Sequence, residues 1–463
     1  MIADVRSKPK TYLTAALVSL GVAGAVLASI ATDWGGIALL VVAVMVLAVS
    51  SEHFCWAAYI LSISATGTLY SVGPATARPE LLGFIFLIVA YVHARRNIKL
   101  RARPALAPIL SCLFIYLITL FFSSIFNAPE PIASLWILGQ IAQAIVAFWL
   151  IAKGHLVGPA VVRVGTLVVG TIAVYTLAGY VATATGLATA GTLGIASDGR
   201  LIGISFENNI FASQMLVWLT VMYAVPRVWR RWEKFASVFI GVAILLAATR
   251  AAWLGLAVLL IVVLVQQNRR PWFLPSLVTV LCVLILAPLV VQQLADGQPR
   301  NSPLWRLANL LNTQDGTGAY RVGIFETAWS EATQWPRWIF GSGTNTYPQL
   351  HPIDSTNRGP EYLSNVFLAN FYDGGVIALA ALLTALLTIV LTSKARLKSA
   401  TIIVVVLICS STTNVMWFQF AWMAIGVAVS VGGHAPISNG RRSRAATAIG
   451  HQSTAGSAPS HRV

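Results

Sequence analysis

The sequence predicts an all-α integral membrane protein with about 12 to 14 transmembrane helices, since one crossing needs about 20 apolar residues. Of its 463 residues, 57% are hydrophobic and only 10% are charged, and the mean hydropathy is +0.76. Soluble domains usually carry about 25% charged residues, which excludes a soluble globular enzyme. Long uncharged runs separated by short basic segments indicate many crossings of a bilayer.

The predicted crossings follow one another along the chain with short connections, except for one long interruption. They are 12–32, 34–50, 54–72, 80–94, 105–126, 131–152, 164–185, 208–226, 235–249, 251–267, 273–294, 370–392, 401–415 and 417–431. The crossing at 54–72 and the last two are also compatible with half-helices or re-entrant segments.

This pattern divides the chain into four parts. Residues 1–294 form an N-terminal transmembrane bundle, and residues 295–362 form a large extracytoplasmic loop with an amphipathic helix. Residues 363–431 return to the membrane, and residues 432–463 are a polar tail expected to be disordered and cytoplasmic.

The basic residues orient the bundle. With a cytoplasmic N-terminus, the cytoplasmic segments hold 23 of the 31 lysines and arginines, including every lysine. This is a positive-inside pattern, so the net charge of +16 reflects topology and gives no reason to expect nucleic acid. Every basic residue on the outer side is arginine, whose planar fork suits phosphate and carboxylate. Chance in an arginine-rich sequence is the alternative explanation.

Two short outer segments contain candidate binding residues. The first runs through Arg200 to Glu207-Asn208-Asn209, where a helix enters the membrane, and an Asn there is typical of an N-cap. The second contains Arg250 between two apolar runs. One long helix would place this arginine at mid-bilayer, at a cost of about 2.5–3.5 kcal/mol, so we expect two short helices that meet at the outer face. There Arg250 is either an interfacial anchor or a ligand for an anion.

The large loop contains the third group of candidates. Apolar residues from Val322 to Ala332 lie on one stripe of a predicted helix at 320–334, with Arg321 beside it. Tryptophans in the loop suggest that this helix lies on the membrane surface. Arg337 follows the helix, and His351 is the single histidine of the loop. A histidine in such a position is either structural or a candidate general base.

The motifs of soluble nucleotide enzymes and metalloenzymes are absent. The sequence contains no Walker loop, no GxGxxG, no GxSxG and no HExxH, and no outer Asp-x-Asp that would hold a metal ion with a nucleotide sugar. We therefore expect no metal and no cofactor. Transfer chemistry at the outer face would need a donor that is already activated on a lipid.

Four stretches in order resemble the O-antigen ligase and polymerase family of bacterial membrane glycosyltransferases. They are Gly203 to Ala212, with its Asn-Asn pair; Thr249-Arg250-Ala251-Ala252; Arg321-x7-Trp329 followed by Trp338-Ile339-Phe340-Gly341-Ser342-Gly343; and Asn365-Val366-Phe367-Leu368 followed by Asp373-Gly374-Gly375. The likeness covers roughly residues 200–395, whereas the N-terminal half matches only as hydrophobic helices.

The resemblance implies a metal-independent GT-C type enzyme of the bacterial cytoplasmic (inner) membrane, active in cell-envelope polysaccharide or lipopolysaccharide synthesis. Its donor would be an undecaprenyl-diphosphate-linked glycan, and its acceptor a glycan or glycolipid. The two diphosphate-binding arginines of the family fall on Arg250 and Arg321. Arg200, Asn208, Arg337 and Asn365 are expected to support that site.

One departure concerns the general base. Ligases of this family carry a histidine just before the Asn of the exit helix, and this position is Ser364 here. Serine is no base near neutral pH, so His351, Glu361 and Asp373 are the candidates, or no strong base is used. The departure weakens the ligase interpretation and favours a polymerase or another glycan transferase. The Arg-x10-Gly motif of some polymerases is also absent from the outer side, so the acceptor stays open. The alternative functions are a flippase or transporter of lipid-linked glycans and a non-catalytic partner in an envelope assembly.

Overall fold

The computed structural model describes residues 51–66, 70–72, 75–97, 106–154, 156–266, 317–351 and 362–431. Four helices in these ranges are long and apolar enough to cross a membrane: Leu106–Phe126, Pro131–Lys153, Pro159–Ala184 and Val366–Thr392. The predicted all-α integral membrane fold is confirmed. The predicted crossings at 12–32, 34–50 and 273–294, the first part of the large loop, Glu361 and the tail lie outside the described residues.

The first part of the described chain is a helical bundle interrupted by one small hairpin. Its elements are α1 (Glu52–Ser64), β1 (Tyr70–Val72), β2 (Ala75–Ala77), α2 (Pro79–Asn97), α3 (Leu106–Phe126), α4 (Pro131–Gly154) and α5 (Pro159–Ala184). The crossing predicted at 54–72 is too long, because α1 ends at Ser64 and an antiparallel hairpin follows. Gly73-Pro74 between the two strands is a turn signal that a count of apolar residues overlooks.

The second part begins with three helices that are shorter than a full crossing. They are α6 (Asn208–Ala224), α7 (Arg231–Leu246) and α8 (Arg250–Gln266). Helix α6 is buried on nearly every side, between α5, α7 and α8 among others. Glycines allow this close approach, since a Cβ added to Gly165 would lie 2.1 Å from Cζ2 of Trp218. Small residues at helix contacts are typical of membrane bundles, where packing drives association.

The last part contains the end of the large loop and the return to the membrane. Its elements are α9 (Thr317–Ala332), α10 (Arg337–Phe340), α11 (Tyr347–Leu350), α12 (Val366–Thr392), α13 (Arg396–Ser410), a 3-10 turn (Val415–Trp417) and α14 (Gln419–Ser430). Helix α12 packs on α3, and α14 packs on α4 and α6. The helices after the loop thus complete the bundle that the earlier helices begin.

The helix predicted at 320–334 is present as α9, but its apolar stripe is divided. Ala328 and Ala332 are fully buried in a small core with residues of α11 and α12. In contrast, Val322, Phe325 and Trp329 are 42%, 44% and 50% exposed. Helix α9 therefore docks on α12 through small residues and presents an aromatic face outward, as a helix at a membrane surface would.

Candidate functional site

The break between α7 and α8 occurs where the sequence predicts two short helices. Helix α7 ends at Leu246, and α8 begins at Arg250. Between them Ala248 has a φ of 54°, in the left-handed region that stops a helix. The indole Nε1 of Trp253 donates to the carbonyl oxygen of Leu245 at 3.1 Å, which satisfies one carbonyl at the end of α7. The break places Arg250 at a helix start, ahead of the apolar run of α8.

Two asparagines of α6 hold this break in place. The side-chain nitrogen of Asn208 donates to the carbonyl oxygen of Ala247 at 3.2 Å and to Oγ1 of Thr249 at 3.3 Å. The hydroxyl of Thr249 lies 3.3 Å from Oδ1 of Asn209, to which it donates. The N-cap interpretation of Asn208 is wrong, because no side chain caps the start of α6. Asn208 instead donates to the carbonyl oxygen of Ala247, a buried acceptor that requires a hydrogen-bond partner.

Arg250 and Arg321 are brought into each other's neighbourhood. Burial, and after it the positive charge of Arg321, lower the pKa of Arg250 at the start of α8. Both side chains are partly buried. Two guanidinium groups that repel each other in a partly desolvated place are typical of a site for a multiply charged anion. The structure therefore unites two residues that are far apart in the sequence.

The two other candidate arginines are paired with carboxylates. Nε of Arg200 lies 2.6 Å from Oδ2 of Asp198, in a turn closed by a bridge between Ile195 and Leu201. Arg337 Nη1 lies 3.9 Å from Oε2 of Glu331. These pairs already neutralise much of their charge, so the two residues are less suited to bind an anion directly.

The base candidates have different surroundings. His351 stacks on Tyr347 with 4.4 Å between ring centroids, and its Nε2 lies 2.9 Å from Oε1 of Glu331, within ion-pair distance but without hydrogen-bond alignment. Asp373 is only 6% exposed, and the backbone N–H groups of Asn345 and Thr346 act on its carboxylate. These contacts favour a role for Asp373 in anchoring the loop to α12.

Asn365 joins the start of α12 to the end of α13. Its Oδ1 accepts from the backbone nitrogens of Phe367 at 2.9 Å and Leu368 at 3.1 Å, which makes it the N-cap of α12. Its Nδ2 donates to the carbonyl oxygen of Ser411, just after α13, at 3.1 Å. The residue thus supports the site by fixing the helix that leaves the loop.

Two carboxylates next to the site were missed by sequence reasoning. Oε2 of Glu207 accepts from the hydroxyl of Tyr362 at 3.2 Å, and Oε1 accepts from the side-chain nitrogen of Asn209. Glu331 accepts from the hydroxyl of Tyr372 at 2.6 Å and also faces His351. The run Glu207-Asn208-Asn209 was a usable signal, since three adjacent polar side chains at a membrane helix start are unusual.

Within the described ranges, no group of three or more His, Cys, Asp or Glu side chains is arranged to hold a metal ion.

A search of curated proteins finds no match. Residues 235–383 match the family model described as O-Antigen ligase. The match runs from α7 into α12 and includes both Arg250 and Arg321. It supports, in general terms, glycosyl transfer of the O-antigen ligase and polymerase type. The family resemblance is thereby confirmed for the region that carries both arginines, which matches the O-antigen ligase model.

Proposed function

We propose that this chain is a metal-independent glycosyltransferase that uses an undecaprenyl-diphosphate-linked glycan at the outer face of the cytoplasmic membrane. It would move or polymerise glycan units in the synthesis of a cell-envelope polysaccharide. The observation that carries the proposal is the proximity of Arg250 and Arg321 at a helix break. A polyprenyl diphosphate combines two charged phosphates with an apolar chain, and this place offers two guanidinium groups at the end of an apolar helix.

The arrangement suggests how the reaction would proceed. An acceptor hydroxyl attacks the anomeric carbon from the face opposite the diphosphate, and the bond from that carbon to the diphosphate oxygen breaks with inversion. Negative charge then grows on the leaving diphosphate. Fixed guanidinium donors stabilise that charge without having to reorganise, which is the largest contribution in many enzymes. Arg250 and Arg321 would thus perform the task that a metal ion performs elsewhere.

The orientation of the bundle agrees with this role. Arg227 and Arg231 lie at the opposite ends of α6 and α7 from Asn208 and Arg250. With basic residues on the cytoplasmic side, the helix break and the loop helix α9 lie on the outer side. Both termini would then be cytoplasmic, and a lipid-linked donor already displayed on the outer leaflet would reach the arginines directly.

Two features bear on the competing functions. A transporter should carry charge near the middle of its spanning helices, whereas Arg250 stands at the first residue of α8 and Asn208 at the first residue of α6. Ser364 occupies the position of the ligase histidine, which favours a polymerase over a ligase. We therefore propose polymerisation, with the growing glycan as acceptor.

The test is a product assay with the purified full chain in detergent. The protein is given an undecaprenyl-diphosphate oligosaccharide in the presence of EDTA, and products are read by mass spectrometry. Products longer by whole repeat units are expected. Arg250→Lys and Arg321→Lys keep the charge but lose the fork, so each should lower the rate by about 10²–10³-fold.

Arg95→Lys is the matched control, because Arg95 is exposed at the far end of α2. This variant should transfer glycan at the rate of the unaltered chain. Unchanged rates in both Arg250→Lys and Arg321→Lys would exclude the arginine site. Absence of any glycan product from the unaltered chain, with several donors and acceptors, would contradict the proposed function itself.

A further inference from the structure

Glu207 presents a carboxylate at the outer end of α6 that is held by two neighbours. Its Oε2 accepts from the hydroxyl of Tyr362 at 3.2 Å, and its Oε1 accepts from Nδ2 of Asn209. Tyr362 lies just before α12, so this contact spans 155 residues of sequence. The side chain of Glu207 is partly exposed. A carboxylate has about four lone-pair positions, so these two contacts leave room for a further hydroxyl.

A short chain of hydrogen bonds connects this carboxylate to the arginine site. Asn209 donates to Glu207, and the hydroxyl of Thr249 donates to Oδ1 of Asn209 at 3.3 Å. Thr249 directly precedes Arg250. The polar contact between α6 and the α7–α8 break therefore fixes the Glu207 carboxylate relative to the residue that precedes Arg250. An acid–base pair around a reacting carbon needs such a fixed separation.

His351 and Asp373, the other base candidates with described surroundings, are already engaged. The imidazole of His351 stacks on Tyr347 and faces Glu331, which also accepts from the hydroxyl of Tyr372. Asp373 is buried, with backbone N–H groups on its carboxylate. Glu207, in contrast, combines partial exposure with a link through Asn209 to Thr249, the residue before Arg250.

We infer that Glu207 is the general base that activates the acceptor hydroxyl, an inference that rests on the proposed function. The hydroxyl oxygen forms a bond to the anomeric carbon while its proton passes to a Glu207 carboxylate oxygen. The bond between the anomeric carbon and the diphosphate oxygen breaks, and its electron pair leaves with the polyprenyl diphosphate at Arg250 and Arg321. Each cycle ends when Glu207 loses its proton to water. The reaction as written needs no oxidant, reductant or metal ion.

The two neighbours of Glu207 are positioning residues in this scheme. Tyr362 and Asn209 each donate one hydrogen bond to the carboxylate and fix its direction. The sequence has serine where ligases of the family have their histidine, and Ser364 follows Tyr362 by two residues. In this scheme the carboxylate of Glu207 takes the place of the ligase imidazole. The segment before α12 no longer supplies the base itself but holds it through Tyr362.

The test compares Glu207→Gln, Glu207→Ala and Glu207→Asp in the full chain, with a polyprenyl-diphosphate oligosaccharide as donor. Glu207→Gln keeps the size of the side chain and one accepting oxygen but cannot take a proton, so kcat should fall by about 10²–10⁴-fold. Glu207→Asp should keep part of the activity. Glu326→Gln is the matched control, because Glu326 is an exposed acid on α9 and should leave kcat unchanged.

Two further readouts separate proton transfer from folding. Undecaprenyl diphosphate should bind Glu207→Gln as tightly as the unaltered chain, as measured by native mass spectrometry. Azide needs no base, so Glu207→Ala with azide should release undecaprenyl diphosphate and form a glycosyl azide of inverted configuration.

Each contrary outcome has one meaning. If Glu207→Gln turns over within a few-fold of the unaltered chain, the inference is overturned. Loss of undecaprenyl diphosphate binding, or no glycosyl azide from Glu207→Ala, would also overturn it, since Glu207 would then act in structure alone. If both the unaltered chain and Glu207→Gln transfer glycan at similar rates, the assignment of Glu207 as the general base is wrong, but the proposed function stands. If the unaltered chain transfers no glycan, the proposed function is wrong as well.

Discussion

The side-chain nitrogen of Asn208 donates to the carbonyl oxygen of Ala247 at 3.2 Å and so ties the start of α6 to the gap between α7 and α8. Asn208 is 3% exposed, and Ala247 is fully buried. A buried carbonyl in a helix break has lost its helical donor and must find another partner. This one contact therefore helps to set the position of Arg250, three residues further along the chain.

Asn208→Ala should destabilise the protein by about 0.5–1.5 kcal/mol, because the buried carbonyl of Ala247 loses one of its two side-chain donors and keeps only the hydroxyl of Thr249. It should also lower kcat/KM, since Arg250 loses part of its support. Thermal unfolding in detergent and the rate of glycan transfer measure the two effects. Thr185→Ala removes an exposed hydroxyl bonded within its own helix and serves as the control. An unchanged unfolding midpoint for Asn208→Ala would show that the contact is dispensable.

Gly341 occupies a position that admits no side chain. Its φ is 72°, and an added Cβ would lie 2.2 Å from the carbonyl oxygen of Asp373. Gly341→Ala should separate the loop from α12, with a cost of about 1–3 kcal/mol from overpacking and about 1–2 kcal/mol from the left-handed backbone. A lower unfolding midpoint and faster proteolysis of the loop are expected.

The matched control is Gly323→Ala on α9. An added Cβ at Gly323 meets nothing within 4 Å, and the residue lies inside a helix. Replacing a helical glycine with alanine gains about 0.5–1 kcal/mol, so this variant should be as stable as the unaltered chain or slightly more stable. Equal loss of stability in both variants would mean that the close contact at Gly341 is relieved at no cost.

The sequence predicts the helix break but not its partners. An arginine between two apolar runs indicates the break because its alternative, a charge at mid-bilayer, is costly. The contact between Asn208 and Ala247 joins residues 39 apart, and nothing local distinguishes an asparagine that caps its own helix from one that serves another. The wrong N-cap interpretation follows from this ambiguity.

The contacts of the two arginines and of Glu207 are also not predictable from the sequence, because they join residues that are far apart in the chain. The likeness to the family selects Arg250 and Arg321, whereas their proximity comes from the docking of α9. The sequence shows Glu207 only as part of the run Glu207-Asn208-Asn209, because its partner Tyr362 is 155 residues away. The end of α1 was misplaced because apolar strand residues count like helix residues in a hydropathy window.

A buried ion pair holds the opposite side of the bundle. Nε of Arg227 lies 2.8 Å from Oε1 of Glu233, with side chains 1% and 0% exposed, and Arg227 also covers the ring of Trp229. Glu233→Gln leaves the Arg227 charge buried and unpaired, which should cost about 3–5 kcal/mol. Thermal unfolding at neutral pH measures this loss. Lys234→Gln, which removes a neighbouring exposed charge, should leave the midpoint unchanged.

The same pair predicts a dependence of stability on pH. Burial acts to raise the pKa of Glu233, but hydrogen bonds from the Arg230 backbone and from Arg227 outweigh it, so the pKa is lowered. A carboxyl whose pKa is lower in the folded state adds stability above its usual range near pH 4, and this contribution disappears as the pH falls below that range. The difference in unfolding midpoint between the unaltered chain and Glu233→Gln should therefore shrink on acidification. A difference that stays constant down to pH 3 would contradict this linkage.

His351→Gln should retain glycan transfer within a few-fold of the unaltered chain. The imidazole is stacked on Tyr347 and faces Glu331 at 2.9 Å, so its contacts are those of a residue that stabilises the loop. Removal of a true general base would lower kcat by about 10²–10⁴-fold. Steady-state transfer by His351→Gln and Glu207→Gln, measured side by side, decides between the two residues. A loss of that size in His351→Gln, with donor binding retained, would assign the base to the loop histidine and exclude Glu207.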